Sequence, residues 1–228
     1  MEKRLRVKNK NRRTPRVSEY NINDKAWDVM LRNIATAVSL VFSAPFIGLY
    51  VAVRTWLCMG GDYLVLVTMI ITLAIAPLLI PTLWALRHGI EWDYPEKKHR
   101  FKPFILVILN YLFSVVFFAM YWPGYPLFLS LAYLMNSIVA ILLNLWTKVS
   151  LHTIGVVGPA LTLYYLGLYI DSIILLIIAL IVMYSRYVLR RHSITQLLLG
   201  FITAVTTTTL SWIIYQYMTT NIIGVHID

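Results

Sequence analysis

The sequence predicts an all-α protein, a polytopic membrane bundle of about six or seven transmembrane helices. Hydrophobic residues make up 59% of the chain and charged residues only 13%, whereas soluble domains are about half apolar and about a quarter charged. The mean hydropathy is +0.71. Apolar stretches of about 20 residues, the length that crosses a bilayer, recur along residues 27–228, which we assign to one domain.

The first 26 residues are polar and basic, and we expect a mostly disordered cytoplasmic tail. Eight of the first 16 residues are Lys or Arg. Such a block beside a first span typically sets topology or contacts anionic lipid, so no nucleic-acid partner is expected despite the net charge of +10. The positive-inside rule places the N-terminus in the cytoplasm.

Short polar breaks divide the apolar part of the chain into candidate spans. The fifth and sixth candidates are short and closely joined, which leaves the count at six or seven. The candidates are Asn33–Val53, Tyr63–Leu86, Phe104–Trp122, Leu127–Trp146, Thr153–Ile170, Ser172–Leu189 and Ile194–Tyr217.

Three polar clusters recur after successive two-span hairpins: Arg87–Pro103, Thr147–His152 and Ser185–Gln196. Because two spans return the chain to the same side, all three clusters should share one side of the membrane. Their basic residues predict that this side is cytoplasmic.

The cluster around Arg186 is the richest in candidate functional groups. Arg186 and Arg190 are four residues apart and share a helix face, where guanidinium groups suit phosphate oxygens. His192 is four residues from Gln196, whose amide oxygen can accept a hydrogen bond from the imidazole. The alternative is structural: arginines at a membrane interface and a capping box from Ser193 to Gln196.

The cluster before the fifth span adds a second histidine. Ser150 is a candidate N-cap, so His152 falls in the first helical turn, where amide groups attract anions, and Lys148 adds positive charge. A histidine there can protonate a leaving oxygen, although a single interfacial histidine can also lack a catalytic role. The chain has one cysteine, Cys58, and its histidines do not have the spacing of metal ligands. We therefore expect no metal and no other cofactor.

Several polar side chains lie inside the apolar stretches. Asn110, Asn136, Asn144 and the threonines of 206–209 are predicted to hydrogen-bond between helices or to the carbonyl four residues back.

Residues Asp93 to Phe201 resemble the type 2 phosphatidic acid phosphatase / vanadium haloperoxidase superfamily. Its third motif, S-R-x5-H-x3-D, is matched by Ser185, Arg186 and His192, with Gln196 at the Asp position. The second motif, P-S-G-H, is matched at the Ser and His of the sequence "VSLH" (149–152). The first motif, K-x6-R-P, is weakest: Lys102-Pro103 stands at its end and Pro95 at its first Lys, with Arg100 as an alternative phosphate ligand.

The resemblance implies a mechanism for the matched residues. His192 would attack phosphorus and form a phosphohistidine, and His152 would protonate the leaving oxygen and then activate water. Arg186, Ser150 and either Lys102 or Arg100 would hold the phosphate oxygens. Gln196 can orient His192 but, unlike the family's Asp, carries no charge to stabilise the imidazolium.

We therefore expect a membrane protein that hydrolyses a lipid phosphate or diphosphate, such as phosphatidate or a polyprenyl diphosphate. One alternative is a catalytically impaired relative that binds phospholipid head groups as a scaffold. A transporter is a weaker alternative, because no acidic pair lies within a predicted span. The lipid and the oligomeric state stay open.

Overall fold

The computed structural model describes the backbone of residues 22–89 and 97–223 and the side chains of 27–89 and 101–221. The secondary structure of these described residues is entirely helical, which confirms the predicted all-α class. Helix α1 begins inside the predicted tail, and the rest of that tail lies outside the described residues. The helices are α1 (Ile22–Val41), α2 (Ala44–Met59), α3 (Tyr63–His88), α4 (Lys97–Tyr121), α5 (Tyr125–Trp146), α6 (Leu151–Tyr165), α7 (Tyr169–Val188) and α8 (Ile194–Met218, continued by a π turn, Thr219–Ile223).

The described part of the chain contains five helices long and apolar enough to cross a membrane, namely α3, α4, α5, α7 and α8, and six spans if α1 and α2 count as one. The protein is thus a multi-pass membrane protein, with five or six helices of this length and hydropathy among the described residues. The predicted fifth span is instead the 15-residue helix α6, about 22 Å long at 1.5 Å per residue and shorter than a hydrocarbon core of about 30 Å.

The predicted first span, Asn33–Val53, is not continuous. Helix α1 ends at Val41, and α2 starts at Ala44 after a bend of 46°. Ser43 is the N-cap of α2 in an extended conformation, and Pro45 follows in the first turn. Proline is compatible with a first turn because it lacks only an amide that has no intrahelical partner there.

Helix α3 contains a π-helical turn, Ile71–Ile75, directly before Pro77. Pro77 cannot donate to the carbonyl of Leu73, the residue four positions earlier, and an extra residue in the turn accommodates its ring. The Leu73 carbonyl instead lies against Gly48 of α2, where a Cβ atom would come within 2.2 Å of it. Only glycine permits this close approach of α2 to α3.

Helix α6 is the central element of the bundle and packs against α2, α5, α7 and α8. Most of its side chains from Thr153 to Leu163 are buried. Gly155 lies against Ala44 of α2, and Gly200 of α8 lies against the carbonyl of Ser150. These small residues let neighbouring helices approach closely, as is common between membrane helices.

The asparagines and threonines predicted to bond within the bundle are hydrogen-bonded. Asn136 of α5 donates to the Ala132 carbonyl and to Thr208 Oγ1 and accepts from Thr207 Oγ1. Asn110 of α4 donates to the Thr72 carbonyl in the π turn of α3 at 2.8 Å. These bonds join α5 to α8 and α4 to α3.

An ion pair joins α2 to α7 near the start of α7. Arg54 Nε lies 2.8 Å from Asp171 Oδ1, and the Tyr50 hydroxyl also donates to this oxygen. We predicted Arg54 and Asp171 to lie in polar breaks between spans, but both lie within helices. Asp171 is in the first turn of α7 and Arg186 in its last turn, so about 20 Å along the helix axis separates them.

Candidate functional site

The turn between α7 and α8 determines the placement of Arg186 and His192. The Arg190 amide donates to the Tyr187 carbonyl and the Arg191 amide to the Arg186 carbonyl, the two bonds of a Schellman motif. Arg190 has a φ of 53° at the position where glycine is usual. This left-handed residue reverses the chain, so that His192 returns towards the end of α7.

The capping box of α8 fixes the orientation of His192. Ser193 caps the helix, and Gln196 Oε1 accepts from the Ser193 amide at 3.2 Å. Because an amide N–H can only donate, this bond identifies the Gln196 atom as oxygen. The same oxygen lies 3.2 Å from His192 Nδ1, so Nδ1 carries a proton and donates to it. Both predictions for Gln196, as a cap and as a partner of His192, thus describe one arrangement.

The start of α6 places His152 beside this turn. Ser150 is the N-cap and accepts from the Thr153 amide at 3.4 Å and from Thr153 Oγ1 at 3.0 Å. His152 is therefore the second residue of the helix and is half-buried. Lys148, just before the cap, donates to the Arg191 carbonyl at 3.1 Å, which ties the start of α6 to the α7–α8 turn.

Three predicted residues line one cavity of about 190 Å³, which we call the inner lobe. They are His152 from α6, Arg186 from α7 and His192 from the α7–α8 turn, and the rest of the lining is mostly apolar. Arg186 and His192 are each 6% exposed. The α1–α2 break also lines the lobe, with Ser39, Ser43 and Pro45. No described residue lining the lobe is Asp or Glu, so the guanidinium of Arg186 favours an anion there.

A second cavity, the outer lobe, adjoins the first and measures about 270 Å³. The two lobes share Ser39, His152 and Arg186, and the outer lobe adds Thr36 and Arg191. Arg191 follows Arg190 in the α7–α8 turn. Its place on the lobe wall adds a second guanidinium to the site.

An apolar slot of about 150 Å³ continues from the inner lobe into the bundle. The slot and the inner lobe share Pro45, Pro77, Phe104 and Leu151, residues from four helices. Along α6 the slot reaches from Leu151 to Pro159, about 12 Å at 1.5 Å per residue. A cavity lined by the Arg186 guanidinium that adjoins an apolar slot suits an amphiphile with an anionic head.

Other predicted site residues lie away from the lobes. Ser150 is fully buried and its hydroxyl serves the cap of α6, while Lys102 is exposed at the start of α4; neither residue lines the inner or the outer lobe. Gln196 acts on His192 rather than on the cavity. The side chain of Arg100 lies outside the described residues.

Sequence reasoning missed the contribution of the α1–α2 break. Ser39 and Ser43 line the inner lobe but match none of the family motifs. A signal for Ser43 was present, because a serine two residues before a proline is typical of a helix start. Nothing in the neighbourhood of Ser39 distinguishes it from other serines in apolar stretches.

Comparisons with known proteins add no family. No family model, no curated protein and no solved structure matches the chain. Within the described residues, no three His, Cys, Asp or Glu side chains come together in a way that could hold a metal ion.

Proposed function

We propose that this protein is an integral membrane hydrolase of lipid phosphates, with the phosphate in the inner lobe and the lipid chain in the apolar slot. One observation carries the proposal: Arg186, His152 and His192 come from separate parts of the chain and line one cavity that opens onto the slot. The phosphohistidine chemistry comes from the superfamily resemblance, and the geometry supports it.

In the first step, His192 Nε2 donates its lone pair to phosphorus, and the bond from phosphorus to the lipid oxygen breaks. Protonated His152 gives its proton to that oxygen, so a neutral alcohol leaves along the slot. The guanidinium of Arg186 stabilises the negative charge on the phosphoryl oxygens.

In the second step, neutral His152 takes a proton from water as that water attacks phosphorus. The phosphorus–nitrogen bond breaks, its electron pair returns to Nε2, and inorganic phosphate leaves. The Gln196 carbonyl holds Nδ1–H of His192 throughout, so Nε2 keeps its direction.

The test is phosphate release from a panel of lipid phosphates and diphosphates in detergent micelles. We expect His192→Ala and His152→Ala to lose at least a hundredfold in kcat, because nucleophilic and acid–base catalysis are each worth that much. His88→Ala is the matched control, since His88 is exposed at the end of α3 and lies away from the lobes. Equal release by wild type and His192→Ala would remove His192 as the nucleophile.

A second candidate, a head-group-binding scaffold without turnover, is favoured by the neutral side chain of Gln196 next to His192. It predicts that purified protein binds vanadate or a lipid phosphate and that Arg186→Met abolishes binding. It also predicts no phosphate release from any lipid of the panel by wild type.

We further propose that the tail and both lobes face the cytoplasm, where anionic lipids contact the tail. The chain contains one cysteine, Cys58, which is exposed in the last turn of α2. The first turn of α2 lines the inner lobe, so Cys58 should lie on the opposite side of the membrane. An impermeant thiol reagent should label it in sealed right-side-out vesicles, and Cys58→Ser gives the background.

The same vesicles provide a control for the lobe side. In the double variant Cys58→Ser, Arg190→Cys, the new thiol should react only after permeabilisation. Labelling of this variant in sealed vesicles would place the lobes on the outer side.

A further inference from the structure

The break in the first span lies at the wall of the inner lobe. Ser43, Ala44 and Pro45, the cap and first turn of α2, line this lobe. Pro45 has no amide hydrogen, and the Phe46 and Ile47 amides donate to the Ser43 carbonyl, so the Ala44 amide is the donor left at the start of α2. The helix dipole adds partial positive charge there. Discontinuous membrane helices in other folds direct such half-helix N-termini at anionic groups.

Ser39, one turn before the break, supplies an independent observation. It is 4% exposed and lines both lobes, and its hydroxyl has no hydrogen-bond partner among the described residues. A buried hydroxyl that makes no hydrogen bond is unfavourable, so such groups in native structures call for an explanation. Thr36 on the same helix differs, because its hydroxyl donates to the Arg32 carbonyl at 2.8 Å.

The superfamily resemblance assigns phosphate contacts to Ser150 and to Lys102 or Arg100. In this structure the Ser150 hydroxyl caps α6, and Lys102 is exposed away from both lobes. A phosphate at Arg186 would therefore need other donors, and the same cavity offers Ser39 and the start of α2.

We propose that the broken first span is a phosphate-binding element in which the Ser39 hydroxyl and the Ala44 amide at the N-terminus of α2 hold oxygens of the lipid phosphate together with Arg186. This inference rests on the proposed function for the identity of the ligand. It assigns a binding role to a segment outside the region that carries the family motifs.

The experiment measures binding, so that it does not depend on turnover. Purified full-length protein in detergent is titrated with vanadate, and the dissociation constant is followed by thermal shift and by calorimetry. Ser39→Ala should weaken binding about tenfold to a hundredfold, as expected for loss of a hydrogen bond to a charged group. Ser43→Ala, at the helix cap, should also weaken binding.

Thr206→Ala is the control, because it removes an exposed helical hydroxyl that bonds within its own helix to the Ile202 carbonyl and lines neither lobe. Its dissociation constant should stay within twofold of wild type. The melting temperature without ligand verifies that each variant folds, and Ser39→Cys provides a second substitution of similar size.

Each outcome separates the two proposals. If wild type binds vanadate and Ser39→Ala and Ser39→Cys bind it equally well, the role of Ser39 is refuted and the proposed function stands. If wild type binds neither vanadate nor a short-chain lipid phosphate, the proposed function fails first. Repeating the titration with that lipid and with inorganic phosphate distinguishes a lipid head group from the free ion.

Discussion

Replacement of Gln196 by Glu tests whether the site lacks only a charge. Gln196 Oε1 accepts from His192 Nδ1 and from the Ser193 amide, both at 3.2 Å. Glu has the same length and keeps both contacts, whereas the shorter Asp of the family motif would lose reach to one of them. The capping box also accepts Glu at this position.

The magnitude follows from the two contacts. At 3.2 Å each bond is at the long end of the usual range, and a neutral bond contributes about 1 kcal/mol. An ionised acceptor roughly doubles that strength. In the proposed mechanism, the carboxylate would also stabilise the imidazolium character that develops as His192 bonds to phosphorus. A differential gain of about 1–3 kcal/mol in the transition state corresponds to a rise of roughly fivefold to 150-fold in kcat.

The assay is phosphate release under single-turnover conditions, which isolates attack by His192. The control is Thr195→Glu, which adds a charge to the same first turn of α8 at an exposed position. Both variants should gain about 0.3–1 kcal/mol of stability from the helix dipole. If Gln196→Glu raises stability by this amount but does not raise the rate of phosphate release, the neutral amide of Gln196 does not limit catalysis. Our reasoning would then be wrong.

Three further predictions concern stability, and thermal or denaturant unfolding in detergent measures each of them. Arg190→Gly should stabilise the protein by about 1 kcal/mol because glycine adopts a φ of 53° without strain. A similar gain in stability in Arg190→Ala would mean that removal of the charge, rather than relief of backbone strain, is the cause. Gly200→Ala should destabilise the protein by about 1–3 kcal/mol, since the alanine Cβ would lie 2.9 Å from the Ser150 carbonyl oxygen. Helix propensity alone predicts a stabilisation of about 1 kcal/mol, and that result would contradict the close packing. A double-mutant cycle of Arg54→Gln and Asp171→Asn should give a coupling free energy of about 1 kcal/mol, because the Arg54 side chain is 40% exposed. A coupling free energy of zero would mean that the ion pair does not hold α2 to α7.

The sequence was most informative where the physical cause is local. Composition and apolar length predicted the helical membrane bundle, and the spacing Ser193-x-x-Gln196 predicted the capping box that the structure shows. Counting two-span hairpins predicted that the clusters at His152 and Arg186 would share one side. Both residues line the same cavity.

Features that depend on neighbouring helices were harder to predict. A hydropathy window averages across Phe42 and Ser43, so the bend between α1 and α2 left no trace in the apolar pattern. The motif serine, Ser150, was predicted both as a cap and as a phosphate ligand, and only the packed structure shows that its hydroxyl bonds to Thr153. The position of Ser39 beside Arg186 follows from the packing of α1 on α7, which no single stretch encodes.

The shortness of α6 affects how a lipid would be turned over. At about 22 Å, this central helix cannot reach both edges of a hydrocarbon core of about 30 Å, so at least one of its ends lies below the membrane surface. A lipid that enters the slot from within the leaflet never passes through bulk water. Its rate of reaction should then follow its mole fraction in the bilayer or micelle, and dilution with inert lipid should slow the reaction even at constant total substrate.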